Sequence, residues 1–175
     1  MSFFASFRQS PRFRFFSVLA VFSLLLSVIT LAQINLTHRL LTAYTLNTDA
    51  KLTRGKPTLL MLEQADDFEK AFTPDATETS SKKKSNVPNF TKETAIGIVL
   101  PSTNKPPKLA VSRVFVQDST LTIRYIRMTD TTLTKNPLPT AVHPTLLFTI
   151  PKQTVLKTRL IENGKVVHIV KKQDE

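Results

Sequence analysis

Three histidines are the only imidazoles in the chain, and their placement suits neither acid–base nor metal chemistry. His38, His143 and His168 lie far apart. No His-x-x-x-His pair or other ligand spacing occurs, and no carboxylates cluster beside them. A Ser-His-Asp set can be composed on paper around His143 or His168, but no Gly-x-Ser-x-Gly elbow presents a nucleophile. Asp66, Asp67 and Glu69 stand together as the acids of a first helical turn, not as a catalytic pair. The absence of cysteine excludes disulfides, thiolate metal sites, a cysteine nucleophile and lipid attachment through a cysteine. Gly55, Gly97 and Gly164 are the only glycines, so Gly-rich phosphate loops and dinucleotide fingerprints are excluded as well. The expectation is a non-enzyme with no cofactor and no metal.

Charge is the remaining chemistry. The net charge is +11, and the positives are scattered apart from Lys82, Lys83 and Lys84. If Asp118-Ser119 is a two-residue turn, Val116 faces Leu121, Val114 faces Ile123 and Ser112 faces Tyr125 on the core side. The same register sets Arg113 beside Arg124 on the other face. Like charges placed opposite each other are destabilising unless they are solvated or meet an anionic partner. Two arginines splaying into water account for the pair more simply than a binding site does. As a binding surface, the candidates are Lys82, Lys83, Lys84, Arg113, Arg124, Lys157 and Arg159. Nucleic acid is disfavoured, because basic and stacking residues are not gathered on one recognisable module.

The elements that must position these residues begin with Phe15–Ala32, an uncharged run without proline or glycine. Its eighteen residues would rise about 27 Å as a helix, close to the hydrocarbon thickness of a bilayer. Arg8, Arg12 and Arg14 precede it and no acid appears before Asp49, which keeps the N-terminus in the cytoplasm and exports the rest. Thr30-Leu31-Ala32 is an acceptable cleavage site, but Val28, Ile29 and Leu31 carry the apolar run up to it without a polar break. The expected organisation is a basic cytoplasmic tail (1–14), a transmembrane anchor (15–32) contacting the lipid bilayer, a connector (33–57) and an extracytoplasmic, periplasmic β-rich domain (58–175). The alternative is a secreted product cut after Ala32.

In the connector, Ile34, Leu36, Leu40 and Leu41 could extend the membrane helix before Lys51–Pro57 breaks it. Thr58–Leu62 predicts a short buried strand. Glu63–Phe72 predicts a helix with an apolar face of Ala65, Phe68 and Phe72, ended by Pro74. Residues 73–88 predict an exposed loop. The continuous apolar run Ala95–Leu100 predicts a central strand, and Leu109–Val116 with Thr120–Met128 predicts a hairpin. A polar loop, Asp130–His143, precedes a strand at Thr145–Ile150. Asn163-Gly164 predicts a type I′ turn pairing Glu162 with Lys165, Ile161 with Val166 and Leu160 with Val167. Leu156, Leu160, Val167 and Ile169 would then face the core, and Lys157, Arg159 and His168 the solvent. The fold class is α+β, mostly antiparallel β, with about six or seven strands and one short helix.

The order of these pieces, with Asn89-Phe90-Thr91-Lys92-Glu93 leading into an apolar strand and Phe148-Thr149-Ile150-Pro151-Lys152 closing the last element, resembles the C-terminal domain of the protease complex subunit PrcB family over residues 58–170. Asn104-Lys105-Pro106-Pro107-Lys108 stands where that family has a Thr-Gly-Gly-Tyr element, and His143-Pro144-Thr145 replaces its Pro-Tyr-His run. The resemblance implies an exported, non-catalytic domain that binds or stabilises an envelope protein, a protease complex among the candidates. The other expectation is a binder of an anionic envelope polymer through the basic residues named above, with a hydrolase a distant third.

Overall fold

The computed structural model describes residues 33–48, 50–75 and 87–171. The apolar run Phe15–Ala32, expected to be a membrane anchor, and the lysine run Lys82–Lys84 lie outside the described residues. Among the described residues no helix is long and apolar enough to cross a membrane.

The described elements are β1 (Ile34–Asn35), β2 (Arg39–Leu40), β3 (Tyr44–Leu46), β4 (Thr58–Leu62), α1 (Ala65–Ala71), β5 (Phe72–Pro74), β6 (Glu93–Val99), β7 (Lys108–Gln117), β8 (Thr120–Met128), α2 (Thr131–Lys135), β9 (Thr145–Pro151), β10 (Lys157–Glu162) and β11 (Lys165–Lys171). Seven of these strands have five or more residues, and four short ones and a second helix join them. A five-stranded sheet runs β1-β7-β8-β10-β11, a four-stranded sheet runs β2-β9-β6-β4, and β3 pairs with β5.

β6 shows why the layers stack as they do. All but its first residue are buried, because the strand has a covered surface on both sides. Ile96 and Ile98 join Val114, Ile123, Tyr125, Phe148 and Leu160 in the core between the two large sheets. Ala95 joins Phe68, Ala71, Phe72 and Leu147 in a second core beneath α1. A strand covered twice reads as a continuous apolar run instead of an alternating one. At Gly97 the absent side chain leaves room for the Phe72 ring, whose Cζ would lie 3.0 Å from an added Cβ.

Both expected two-residue turns form. Asp118 and Ser119 have φ of 49° and 54°, and Asn163 and Gly164 have 46° and 85°, the left-handed pair that a type I′ turn requires. Val116 faces Leu121, Val114 faces Ile123 and Arg113 faces Arg124.

Other expectations are corrected. Ser112 does not face Tyr125: the register shifts between Val111 and Arg113, and Val111 takes that place. Leu160 faces His168 instead of Val167, because the β10–β11 register shifts after Leu160. The extra residue of such a bulge turns the rest of the strand over. Val167 still packs on the core, but Ile169 and Leu156 are exposed, at 48% and 60%. The helix is shorter than expected, since Phe72 already belongs to β5, and Ala71 instead of Ala65 fills its buried face.

Two corrections bear on the site. Residues 33–57 are more than a connector. The compact unit starts at Gln33, β1 pairs with β7, β2 with β9 and β3 with β5, and Leu36 and Leu41 each reach one of the two cores. Their apolar residues extend the sheets and do not lengthen a helix. Asp130–His143 also holds α2, where the Asp130 carboxylate accepts from the Thr132 and Leu133 amides. The chain then enters the other sheet as β9 and returns so that β10 lies parallel to β8, the exception in an otherwise antiparallel set. That return carries Arg159 across to the arginine pair.

Candidate basic face on the five-stranded sheet

Side chains alternate across the pleat, so the residues of β7 and β8 that face away from the core share the outer surface. On β7 these include Arg113 and Phe115, and on β8 Thr122 and Arg124. The parallel register places Arg159 opposite Thr122, Ile161 opposite Arg124 and Lys157 opposite Thr120. On the far side of β10, Lys171 stands opposite Lys157.

Phe115 is the floor. Its ring is only 7% exposed although it points away from the main core. The Arg113 guanidinium lies 5.3 Å from its centroid and that of Arg124 5.6 Å. A cation over an aromatic face is held by the ring quadrupole, and the apolar stems of the arginines cover the ring while their heads stay in water. Thr122 and Ile161 are buried on the same surface. Arg113 is further fixed by donating from Nε to Asn35 Oδ1 at 2.8 Å, a contact that β1 supplies.

A shallow cavity of about 260 Å³ opens here, lined by Phe115, Gln117, Asp118, Thr120, Thr122, Arg124, Arg159 and Ile161. Among the described residues, Arg113, Arg124, Arg159 and Lys157 form no ion pair. Asp118, in the turn at the rim, is the acid on this surface. Three carboxylates elsewhere pair with other bases: Glu93 with Arg39 at 2.9 Å, Asp130 with Lys108 at 3.4 Å and Glu162 with Arg127 at 3.6 Å.

This arrangement can hold an anion. Guanidinium groups present planar donor forks that match phosphate, sulfate and carboxylate oxygens, and Gln117, Thr120 and Thr122 add neutral hydrogen-bonding groups at the floor.

Of the residues expected from the sequence, Arg113, Arg124, Arg159 and Lys157 come together on this surface, and Lys82–Lys84 lie outside the described residues. Phe115, Thr122 and Asn35 were not anticipated. Phe115 was findable, since it alternates with Arg113 on a strand already assigned to the hairpin. Asn35 was not, because nothing local says that β1 lies beside β7.

The histidines stay apart. The His143 Nδ1–H donates to the Leu100 carbonyl at 2.9 Å, His38 meets Phe148 edge to face, and His168 lies on β11. Among the described residues no group of metal-binding side chains forms. A larger cavity, about 460 Å³, is bounded by Tyr44, Leu46, Leu52, Val142 and His143 but carries no paired or convergent charges. Burial there pushes the Tyr44 phenol above its ordinary value, against the opposing charge of Arg39. Comparison with protein-family models, curated proteins and solved structures found no match for this chain.

Proposed function

We propose that this domain is a non-catalytic binder of an anionic polymer of the cell envelope, which it grips through the outer face of β7, β8 and β10. The observation that carries the reading is that Arg113 and Arg124 lie over the Phe115 ring and Arg124 and Arg159 line one cavity with it, none of the three having an ion-pair partner among the described residues. Placing like charges side by side costs stability, and a bound anion offsets that cost. Phosphate, sulfate or carboxylate groups spaced along a chain could occupy the cavity and continue over Lys157 and Lys171.

Phe15–Ala32 would hold the domain at the outer surface of the membrane, where such polymers lie. The unbroken apolar run and the three preceding arginines support that placement. Intact mass of the native protein tests it: a product beginning at Gln33 would contradict the anchor. Binding is tested with inorganic polyphosphate and dextran sulfate as probes. Arg124→Ala and Arg159→Ala should each weaken binding, and unchanged affinity in both would overturn the reading.

A further inference from the structure

The outer surface of the five-stranded sheet does not end at the arginines. On β10, Ile161 stands opposite Arg124 of β8, and Arg159 opposite Thr122. On β11, Val166 stands opposite Ile161, and Ile169 opposite Arg159. Residues directly opposite share a face, so Val166 and Ile169 lie on the surface that holds the arginine cavity. They are three positions apart, and the extra residue of the β10–β11 bulge is what lets both point outward. Val166 and Ile169 are exposed at 53% and 48%, and Ile161, buried between strands, lines the cavity. An aliphatic strip thus runs from the cavity to the sheet edge, two strand spacings or about 10 Å from β8.

Charge and chemistry select what covers it. A second copy laid on this face would bring Arg124, Arg159 and Lys157 against their own counterparts, and like-charge juxtaposition opposes association. A polypeptide laid over the strip would bury main-chain amides against side chains that offer no hydrogen bond. An aliphatic chain buries no polar group. The anion beside it must stay charged while joined both to that chain and to the rest of the polymer. Among phosphate, sulfate and carboxylate, phosphate alone keeps a charge and two free oxygens when esterified on both sides. Two such oxygens match a guanidinium fork.

We propose that the cavity takes a phosphodiester that joins an aliphatic chain to the anionic polymer, with the phosphate at Arg124 and Arg159 and the chain over Ile161, Val166 and Ile169. This rests on the reading of the basic face given above, and names the part of the polymer held there as its lipid-bearing end.

The test titrates methyl butyl phosphate and methyl octyl phosphate into the full chain, held in phosphatidylcholine nanodiscs with empty discs as the blank. Amide chemical shifts at residues 159, 161, 166 and 169 report binding against the free ester concentration. The octyl ester should bind at least about tenfold more tightly than the butyl ester, since four more methylenes leave water. Val166→Thr with Ile169→Thr should cut that ratio to about threefold or less. Arg159→Ala should weaken both esters and keep the ratio. Ile126→Thr, on the same face beyond Arg124 and 41% exposed in the wild type, should also keep it. Polyphosphate binding without any gain from the longer chain would overturn this proposal and leave the proposed function standing, whereas failure of polyphosphate and both esters would remove both. A gain that survives the double threonine variant, or that Ile126→Thr abolishes, would place the chain elsewhere and overturn it. So would the same shifts appearing without ester, in phosphatidylglycerol discs in favour of a membrane surface, or with rising protein concentration in favour of a second copy.

Discussion

Arg113 and Arg124 stand directly opposite each other on adjacent antiparallel strands, and both guanidinium groups lie over the single ring of Phe115. Two effects of opposite sign meet there. Repulsion between facing like charges costs about 0.2–1 kcal/mol, and each cation over the ring recovers about 0.5–1 kcal/mol at an exposed site. On these figures the two ring contacts together outweigh the repulsion, and salt screens the repulsion between exposed charges. Added salt should therefore raise the melting temperature of the wild type more than that of Arg124→Ala. Thermal denaturation at low and high sodium chloride checks this, and parallel salt responses would mean that the two arginines do not repel.

Gly97 and Phe72 form a close junction between β6 and the helix side of the fold. A Cβ at position 97 would come 3.0 Å from the ring, and Phe72 is itself 1% exposed with the Phe68 ring centroid 5.6 Å away and tilted by 36°. Gly97→Ala should cost about 1–3 kcal/mol through overpacking. Phe72→Leu should cost less in that background than in the wild type, because the smaller side chain clears the added methyl. A denaturant double-mutant cycle measures the coupling, and strict additivity would show that the ring yields without strain.

Tyr125 is buried beneath the β10–β11 turn, and its hydroxyl donates to Glu162. Burial, then the hydrogen bond and charge of Glu162, drive its phenol well above the ordinary value, against a smaller opposing effect of Arg127. The folded state thus holds its proton where the unfolded chain releases it. That stability is complete below the unfolded phenol value and is lost as pH rises beyond it. Tyr125→Phe should flatten the alkaline loss of stability, and a melting series between neutral and strongly alkaline pH reports it. An alkaline loss as steep as that of the wild type would contradict the assignment.

Glu93 behaves in the opposite sense. Burial opposes its charge, but the Asn89 amide, the Arg39 guanidinium and Thr149 outweigh burial and hold the carboxyl below its usual value. Arg39 Nη2 donates to it at 2.9 Å and the Asn89 amide at 3.1 Å. Stability from this group is present above the unfolded carboxylate value and falls away as pH drops through the depressed folded one. The pair is part-exposed, so its worth is at most about 1 kcal/mol. Glu93→Gln should remove that acid-range dependence and speed amide exchange at Arg39 and Leu40 on the short strand β2.

The local signals were legible where the chemistry is local. Asn163-Gly164 and Asp118-Ser119 specify turns by their tolerance of positive φ, and the doubly covered β6 shows its burial as an unbroken apolar run. The bulges at Ser112 and Val167 were not legible, because one extra residue in a strand leaves no mark in an alternating pattern that already varies. The strands of residues 33–46 were hidden by their length, since two- and three-residue strands exist only through the partners that pair with them. The parallel return of β10 beside β8 was hidden for the same reason, and with it the position of Arg159 next to Arg124. The arginine pair could be read from the hairpin, whereas the third arginine and its cavity are properties of the topology.

The central claim is that Arg113, Arg124 and Arg159 act together on an anionic polymer, and calorimetric titration with inorganic polyphosphate tests it most directly. Wild type and an Arg113→Ala, Arg124→Ala, Arg159→Ala variant are compared across sodium chloride from about 0.05 M to about 0.5 M, where the screening length shrinks from above to below the contact range. The account predicts that wild-type affinity falls steeply over that range. It also predicts that the triple variant binds at least about tenfold more weakly at low salt, with a shallower salt dependence, as expected when charge-assisted contacts are removed. Equal affinity of the two proteins at low salt, or wild-type binding indifferent to salt, would contradict it.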